Sequence, residues 1–328
     1  MESSKSKVLL FLKGYAMGAA DVVPGVSGGT IAFITGIYET LLESISKFDK
    51  SIFSKWKNEG FKAVWQHING SFLSILLLGI ATSLISLAKL VEYLLAHHPI
   101  PVWSFFFGLV LASVWLVGRT VEKWNLQTIS ALIFGTIVAY GITILPPFAD
   151  SSNLVYIFFC GSLAICAMIL PGISGSFILI LLGAYSTVLG AISNLISGIL
   201  KTDSALIFTN GSIIAVFAIG CVVGLLSFSR LLNYLFKKSK TIVIAVLTGF
   251  LIGSLNKIWP WKKTLTSFIK HAGEANEELV PLTQQNISPQ TFTTLHHTNN
   301  ELGVAITFLL VGITLLIVLD QFKIEEKA

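Results

Sequence analysis

Two matched breaks in apolar sequence constrain this chain more than any other feature. Pro24-Gly25-Val26-Ser27-Gly28-Gly29-Thr30 is followed by Gly36 and Tyr38, and Pro171-Gly172-Ile173-Ser174-Gly175-Ser176 by Gly183 and Tyr185. One offset superposes both stretches and also pairs Thr40 with Thr187 and Ile45-Ser46 with Ile192-Ser193. Pro and Gly interrupt a helix. At membrane depth an interruption frees N–H and C=O groups that lipid cannot satisfy, so it persists only where it is buried in protein or lines a polar cavity. Matched interrupted segments in two halves of a chain point to a transporter's binding site.

The membrane setting follows from composition. Of 328 residues, 54% are hydrophobic and 12% charged, with a mean hydropathy of +0.80; a soluble domain carries about 25% charged residues. Cys160, Cys166 and Cys221 all lie in apolar runs and read as small core residues, not as a disulfide or metal framework. The chain has no phosphate-binding glycine-lysine loop and no Cys/His ligand spacing, so neither nucleotide, nucleic acid nor a structural metal is expected. The N-terminal run, with Lys5 and Lys7 before Val8–Leu12, has the outline of a signal peptide. It is kept as structure because it precedes the first break just as 154–170 precedes the second.

Apolar segments fall at 8–23, 25–46, 71–95, 102–118 and 128–147, and again at 154–170, 172–198, 209–235, 241–258 and 302–320. The correspondence runs past the breaks: Asn69-Gly70-Ser71 matches Asn210-Gly211-Ser212, Gly79 matches Gly220, Gly108 matches Gly249 and Ser113 matches Ser254. The expected fold is an all-α polytopic membrane protein of two repeats, 1–148 and 149–328, each of five segments with a broken or re-entrant helix pair at its Pro-Gly-x-Ser-Gly loop. An odd number of crossings separates the copies, which inverts one against the other. Lys47, Lys50, Lys55, Lys57 and Lys62, Arg119 and Lys123, and Lys237, Lys238 and Lys240 then share one side with both termini, while loops 96–101 and 148–153 hold no Lys or Arg. That asymmetry places both termini in the cytoplasm. The polar segment 259–301 falls outside, as a plain loop or a partly ordered lid, and Trp103, Trp115, Trp259 and Trp261 read as an interfacial aromatic belt.

In each break Pro ends one half-helix (Pro24 with Gly25, Pro171 with Gly172) and a second half-helix starts near Ser27 or Ser174. A helix N-terminus offers free N–H donors and a partial positive charge. With Ser hydroxyls and close backbone approach at Gly, this suits a phosphate or carboxylate. The candidate anion ligands are Ser27, Gly28, Gly29 and Thr30 with Ser174, Gly175 and Ser176; the alternative is that these small residues serve helix packing alone. Asp21, whose repeat partner is Met168, is an intramembrane carboxylate and a candidate for coupling or gating, against a capping role. Glu39 is a second such candidate, against a solvated surface charge. Lys89, Arg119 and Arg230 could attract a phosphate headgroup or anchor helix ends at the interface.

The string Gly-x-Ala-Asp21-Val-Val-Pro24-Gly25-Val-Ser27-Gly28-Gly29-Thr30, with Leu-Pro171-Gly172-Ile-Ser174-Gly175-Ser176, resembles the PopT-type bacterial polyprenyl-phosphate translocases over residues 8–320. The resemblance implies a plasma-membrane flippase that returns undecaprenyl phosphate from the outer to the inner leaflet for envelope synthesis, coupled to a proton or sodium ion and needing no cofactor. It implies roles in that transport for Asp21 and for the residues of both loops. Undecaprenyl-pyrophosphate phosphatases share inverted repeats and Pro-Gly-x-Ser loops, but there an Arg follows the Ser. Gly28 and Gly175 hold that place here, and no His or Arg lies in either loop to act as base or electrophile. An ion-coupled transporter of a small soluble anion remains the other reading, since a phosphate cradle does not reveal a tail.

Overall fold

The computed structural model describes residues 4–21, 27–145, 153–270 and 278–321. The first half comprises α1 (Ser4–Asp21), α2 (Gly28–Ile34), α3 (Tyr38–Ser46), α4 (Ser51–Glu59), α5 (Phe61–His67), α6 (Gly70–His97), α7 (Pro99–Gly118) and α8 (Leu126–Ile144). The second comprises α9 (Leu154–Ile169), α10 (Gly175–Leu181), α11 (Tyr185–Lys201), α12 (Ser204–Ser254), β1 (Lys262–Lys270), β2 (Glu278–Asn286), α13 (Pro289–His296) and α14 (Leu302–Gln321). Local chemistry sets several starts. Asn125 and Thr128 form a capping box on α8, Asn153 Oδ1 accepts from the Val155 and Tyr156 amides, and Asp203 Oδ1 accepts from those of Ala205 and Leu206.

The apolar segments after the two breaks bend in the same way. Gly36 at φ 76° and Gly183 at φ 65° end α2 and α10 in the left-handed region that only glycine enters without strain. The amide of Ile37 then bonds Ala32 O at 3.0 Å, and that of Ala184 bonds Leu179 O at 2.9 Å, a Schellman closure at matched positions. Between α10 and α11 the axis turns by 104°.

Among the described residues, α6, α7, α8 and α12 contain stretches long and apolar enough to cross a membrane, α10 with α11 forms a bent pair that passes the same test, and α9 and α14 carry shorter apolar stretches. At 51 residues α12 would run about 77 Å, more than twice the ~30 Å hydrocarbon core. Its backbone leaves helical geometry at Ser239 (φ −152°, ψ 59°), within the lysine cluster. The expected loop 237–240 is thus a kink: no Gly or Pro there stops the helix, and one residue suffices to redirect it.

Close helix packing recurs at matched glycines. A Cβ on Gly79 of α6 would strike the Phe11 carbonyl of α1, and one on Gly220 of α12 would strike the Phe158 carbonyl of α9. Gly108 of α7 meets the Leu309 carbonyl of α14, as Gly249 of α12 meets the Leu132 carbonyl of α8. Cys166 and Cys221 lie in the α9–α12 contact, each with its thiol directed at a carbonyl of the facing helix. One apolar core, including Ile31, Tyr38, Ala167, Ile173, Leu247 and Leu251, draws on both halves.

The chain departs from all-α in the segment 259–301. β1 and β2 pair antiparallel from Lys262↔Asn286 to Lys270↔Glu278, and α13 follows. Thr264, Thr266 and Ile269 favour a pleated strand, and Pro281 is tolerated in a two-stranded ribbon whose register slips beside its partner Ser267. Trp259 Nε1 donates to Ile287 O and Trp261 Nε1 to Asn300 O, so both indoles brace the segment that carries this ribbon. The long loop 47–68 forms α4 and α5, which expose Phe53, Trp56 and Phe61 beside Lys55, Lys57 and Lys62, a composition suited to the membrane–water interface.

Alanine substitution separates packing from helix propensity. Gly249→Ala should lower the thermal unfolding midpoint in detergent, by an overpacking cost of about 1–3 kcal/mol. Gly141→Ala in α8, where nothing lies within 4 Å, should leave the midpoint unchanged or raise it.

Candidate functional site

The two breaks meet. Pro24 and Gly25 lie outside the described residues, but the first half-helix after them is well defined. Ser27 is extended (φ −128°, ψ 135°) and caps α2, its Oγ accepting from the Gly29 amide at 3.0 Å. The same hydroxyl donates to Met168 O, 2.9 Å away at the end of α9. Thr30 Oγ1 accepts from the Gly172 amide at 3.0 Å. A Cβ on Gly29 would come within 3.0 Å of Met168 O. Side chains of the first loop therefore satisfy backbone groups of the second.

Asp21 closes the first loop. Its Oδ1 accepts from the Gly28 amide at 2.7 Å, and a Cβ on Gly28 would sit 2.5 Å from Oδ2. Glycine at this position is what admits the carboxylate. With Gly28 bonded to Asp21, Gly29 to Ser27 Oγ and Thr30 to Ser27 O, the first-turn amides of α2 are all engaged. Ser27 and Thr30 are 0% and 1% exposed. In this conformation the two hydroxyls expected to bind an anion are spent on the facing loop.

The second loop is less engaged. Pro171 is buried, and Gly172 at φ 86° passes so close to α12 that a Cβ would meet Phe250 O at 2.9 Å. Ser174 makes no capping bond; its Oγ lies 2.8 Å from Ser176 Oγ. A Cβ on Gly175 would meet Ala164 O at 2.7 Å, which packs α10 onto α9. Met168 stands where Asp21 stands in the first loop, and no hydrogen bond among the described residues takes the Gly175 or Ser176 amide.

The other charged candidates lie away from the loops. Glu39 pairs with Lys240 at 2.7 Å, both exposed. Arg230 donates to Ser46 O and Phe48 O and holds the end of α3. Arg119 pairs with Asp320 and stacks over Trp115 at 5.0 Å. The side chain of Lys89 is outside the described set. Tyr38, matched to Tyr185 in sequence but given no role there, is 2% exposed; its hydroxyl has no partner among the described residues, between the edge-on rings of Phe33 and Phe236. The carbonyl of Met168 is the other partner that sequence does not announce, since any residue supplies one.

The bond between Thr30 and Gly172 can be tested directly. Thr30→Val keeps shape but leaves a buried amide unpaired, which should cost about 1–3 kcal/mol in thermal or denaturant unfolding; Thr30→Ser should recover most of it.

A family profile described as VCA0040-like, undecaprenyl phosphate translocase-like, matches residues 17–276. A polyprenyl-phosphate transporter of Vibrio cholerae serotype O1 is 48% identical over 312 residues, covering 95% of this chain and 96% of that protein. A polyprenyl-phosphate transporter of Staphylococcus aureus is 34% identical over 266 residues, covering 77% and 87%. No solved structure matches the chain.

Proposed function

Because the chain belongs to the undecaprenyl phosphate translocase-like family, we propose that it moves polyprenyl phosphate across the bacterial plasma membrane, from outer to inner leaflet, for reuse of the lipid carrier. The family is one of translocases and both relatives bear transporter names, not those of enzymes. The observation that carries the reading is the direct bonding of the two broken helices, through Ser27 with Met168 and Thr30 with Gly172. Half-helices that converge on one point make a single site reachable from either side in turn.

The two halves are read as inverted repeats, 1–148 and 149–328. The matched glycine approaches and the matched turns at Gly36 and Gly183 support that reading. Both termini are placed in the cytoplasm. The pairs Glu39–Lys240, Arg230–Phe48 and Arg119–Asp320 support it by tying the lysine-rich connections and the end of α14 to neighbouring helices.

Phosphate binds between Ser174, Gly175 and Ser176 of the open loop and Ser27, Gly28, Gly29 and Thr30 of the closed one. In the closed loop Asp21 is the resident anion. A coupling proton, or a sodium ion drawing the carboxylate away, weakens its bond to the Gly28 amide and releases that donor to the incoming phosphate. Carboxylate and phosphate thus alternate on one helix end. Beyond that coupling ion, the proposed cycle calls on no cofactor.

Proteoliposomes test the proposal. Surface-accessible labelled polyprenyl phosphate should decline with wild-type protein and not with the Ser27→Ala/Ser174→Ala double variant. Asp21→Asn should slow turnover at least about tenfold, the loss of one charged hydrogen bond, and flatten its dependence on a pH or sodium gradient. Wild-type protein that moves soluble phosphate but no lipid would shift the substrate to a small anion.

A further inference from the structure

A second polar feature lies on the opposite side from the lysine-rich connections, beneath the β1–β2 ribbon. A cavity of about 390 Å³ is walled by the end of α8, by α10, by the turn after α12 and by both strands. Two lysines, Lys257 and Lys262, are among its lining residues. Lys262 Nζ donates to Lys257 O at 2.7 Å and sits 3.7 Å from the centre of the Trp103 ring. Lys257 Nζ lies 4.2 Å from that of Phe177. Among the described residues neither pairs with a carboxylate and no acid lines the cavity. Each lysine is partly exposed along its stem while its charged end is enclosed. Burial holds Lys257 down at about 8, and burial with the neighbouring Lys257 charge holds Lys262 well below the ordinary lysine range.

Two adjacent cations enclosed without a counter-ion are unfavourable unless an anion joins them. Aromatic faces offset only part of that cost. The remaining polar wall is braced and leaves donors free. Asn286 bonds Asn256, which bonds Thr143, so the roof is tied to α8 and α12. Gln284 and Gln285 of β2 line the cavity with amides that carry no partner among the described residues. The remaining wall is apolar: Tyr140 and Ile144 of α8 line the cavity and are 48% and 59% exposed. They continue the exposed row of Ile133, Phe134 and Ile137 along α8. The site thus joins a cationic chamber to a hydrophobic track on the outer face of a membrane-length helix.

We propose that this cavity is a receiving site for a phosphate monoester headgroup on the extracytoplasmic side, held by Lys257 and Lys262, with its hydrocarbon tail lying along α8. The site rests on the reading of the chain as a lipid-phosphate carrier and adds the place where the substrate is first captured. Its inner wall is α10, whose first turn carries Ser174, Gly175 and Ser176. Phe177, beneath Lys257, follows directly on Ser176, so captured phosphate is passed from the lysines to the open loop. In this proposal the headgroup cations are Lys257, in the turn after α12, and Lys262, the first residue of β1, while Arg119 and Arg230 are engaged at helix ends.

The test uses full-length protein in nanodiscs, with farnesyl phosphate, inorganic phosphate and farnesol as probes. Lys257→Met/Lys262→Met keeps both stems and removes both charges. It should weaken farnesyl phosphate binding by about tenfold or more, the loss of one charged hydrogen bond, and leave the thermal midpoint within a degree or two of wild type. Should that variant unfold, Gln284→Glu answers instead: it leaves both lysines in place, sets a carboxylate in the chamber and should weaken binding as much. Farnesol should not bind. Inorganic phosphate that binds as tightly as farnesyl phosphate supports the chamber but overturns the tail track along α8. Wild-type affinity for farnesyl phosphate in both variants overturns the site and reduces the lysines to struts, whatever proteoliposome transport shows. Lysine-dependent binding in a protein that moves no polyprenyl phosphate keeps the site and overturns the transport reading.

Discussion

The fold depends on how two interrupted helices satisfy their backbone inside a membrane. A chain that breaks at this depth frees amides and carbonyls with no water to receive them. Here some of the groups are paired across the two halves and others within the first loop. The Gly172 amide is taken by Thr30, Met168 O by Ser27, and the Gly28 and Gly29 amides by Asp21 and Ser27. Each loop places glycine where a second backbone passes, Gly29 against Ile169 and Gly172 against Phe250. The helices around them are built for the same close approach. At Gly79, Gly108, Gly220 and Gly249 the facing carbonyl leaves no room for a Cβ, so contact is made by backbone and small atoms as is usual where lipid provides no hydrophobic drive.

Much of this was legible because it is covalently local. The breaks, the glycines that turn α2 into α3 and α10 into α11, and the apolar segments are written in residue types with fixed backbone consequences. The matched Gly79 and Gly220 were visible as letters, and their meaning as steric contacts needed the facing helices. Other features were invisible for definite reasons. Ser239 leaves the helix with nothing in its side chain to say so. The ribbon is set by pairing between strands eight or more residues apart and by two indoles that composition alone assigns to the lipid interface. Ser27 and Thr30 have the right chemistry for an anion, and only the arrangement in space shows that their hydroxyls are engaged. Lys257 and Lys262 looked like ordinary loop charges until the ribbon closed over them.

The two halves differ most where a transporter has most reason to differ. A symmetric pair of loops would bind phosphate equally from either side and hold it at the centre with no bias. Asp21 against Met168 removes that equality. The first loop carries its own carboxylate and has its first-turn amides engaged; in the second the two serine hydroxyls bond only each other and the Gly175 and Ser176 amides have no partner among the described residues. Two anions cannot share the Gly28 amide, so full occupation by phosphate demands that the carboxylate be neutralised or moved. That requirement ties substrate binding to a cation, the form of linkage a coupled carrier needs. An arginine in place of Gly28 would likewise find no room, since any side chain there would displace the carboxylate.

A binding order follows from the position of the lysines. Cations on the far side of the protein from the lysine-rich connections oppose the usual charge bias of membrane proteins, and enclosing them raises their cost further. A charge kept under both penalties is explained by a ligand that repays them, and the geometry limits that ligand to an anion able to lie against α8. In the proposed capture site an arriving phosphate would favour the charged form that burial disfavours on Lys257 and Lys262, whereas the loops offer only dipoles and hydroxyls, so capture at the lysines would precede transfer to Ser174–Ser176. In the proposed cycle, transfer inward would wait on neutralisation of Asp21, because a negative charge beside the paired loops opposes a second anion there. Capture at the lysines and release of Asp21 would then be two halves of one gate: the first setting which molecule enters, and the second when it passes.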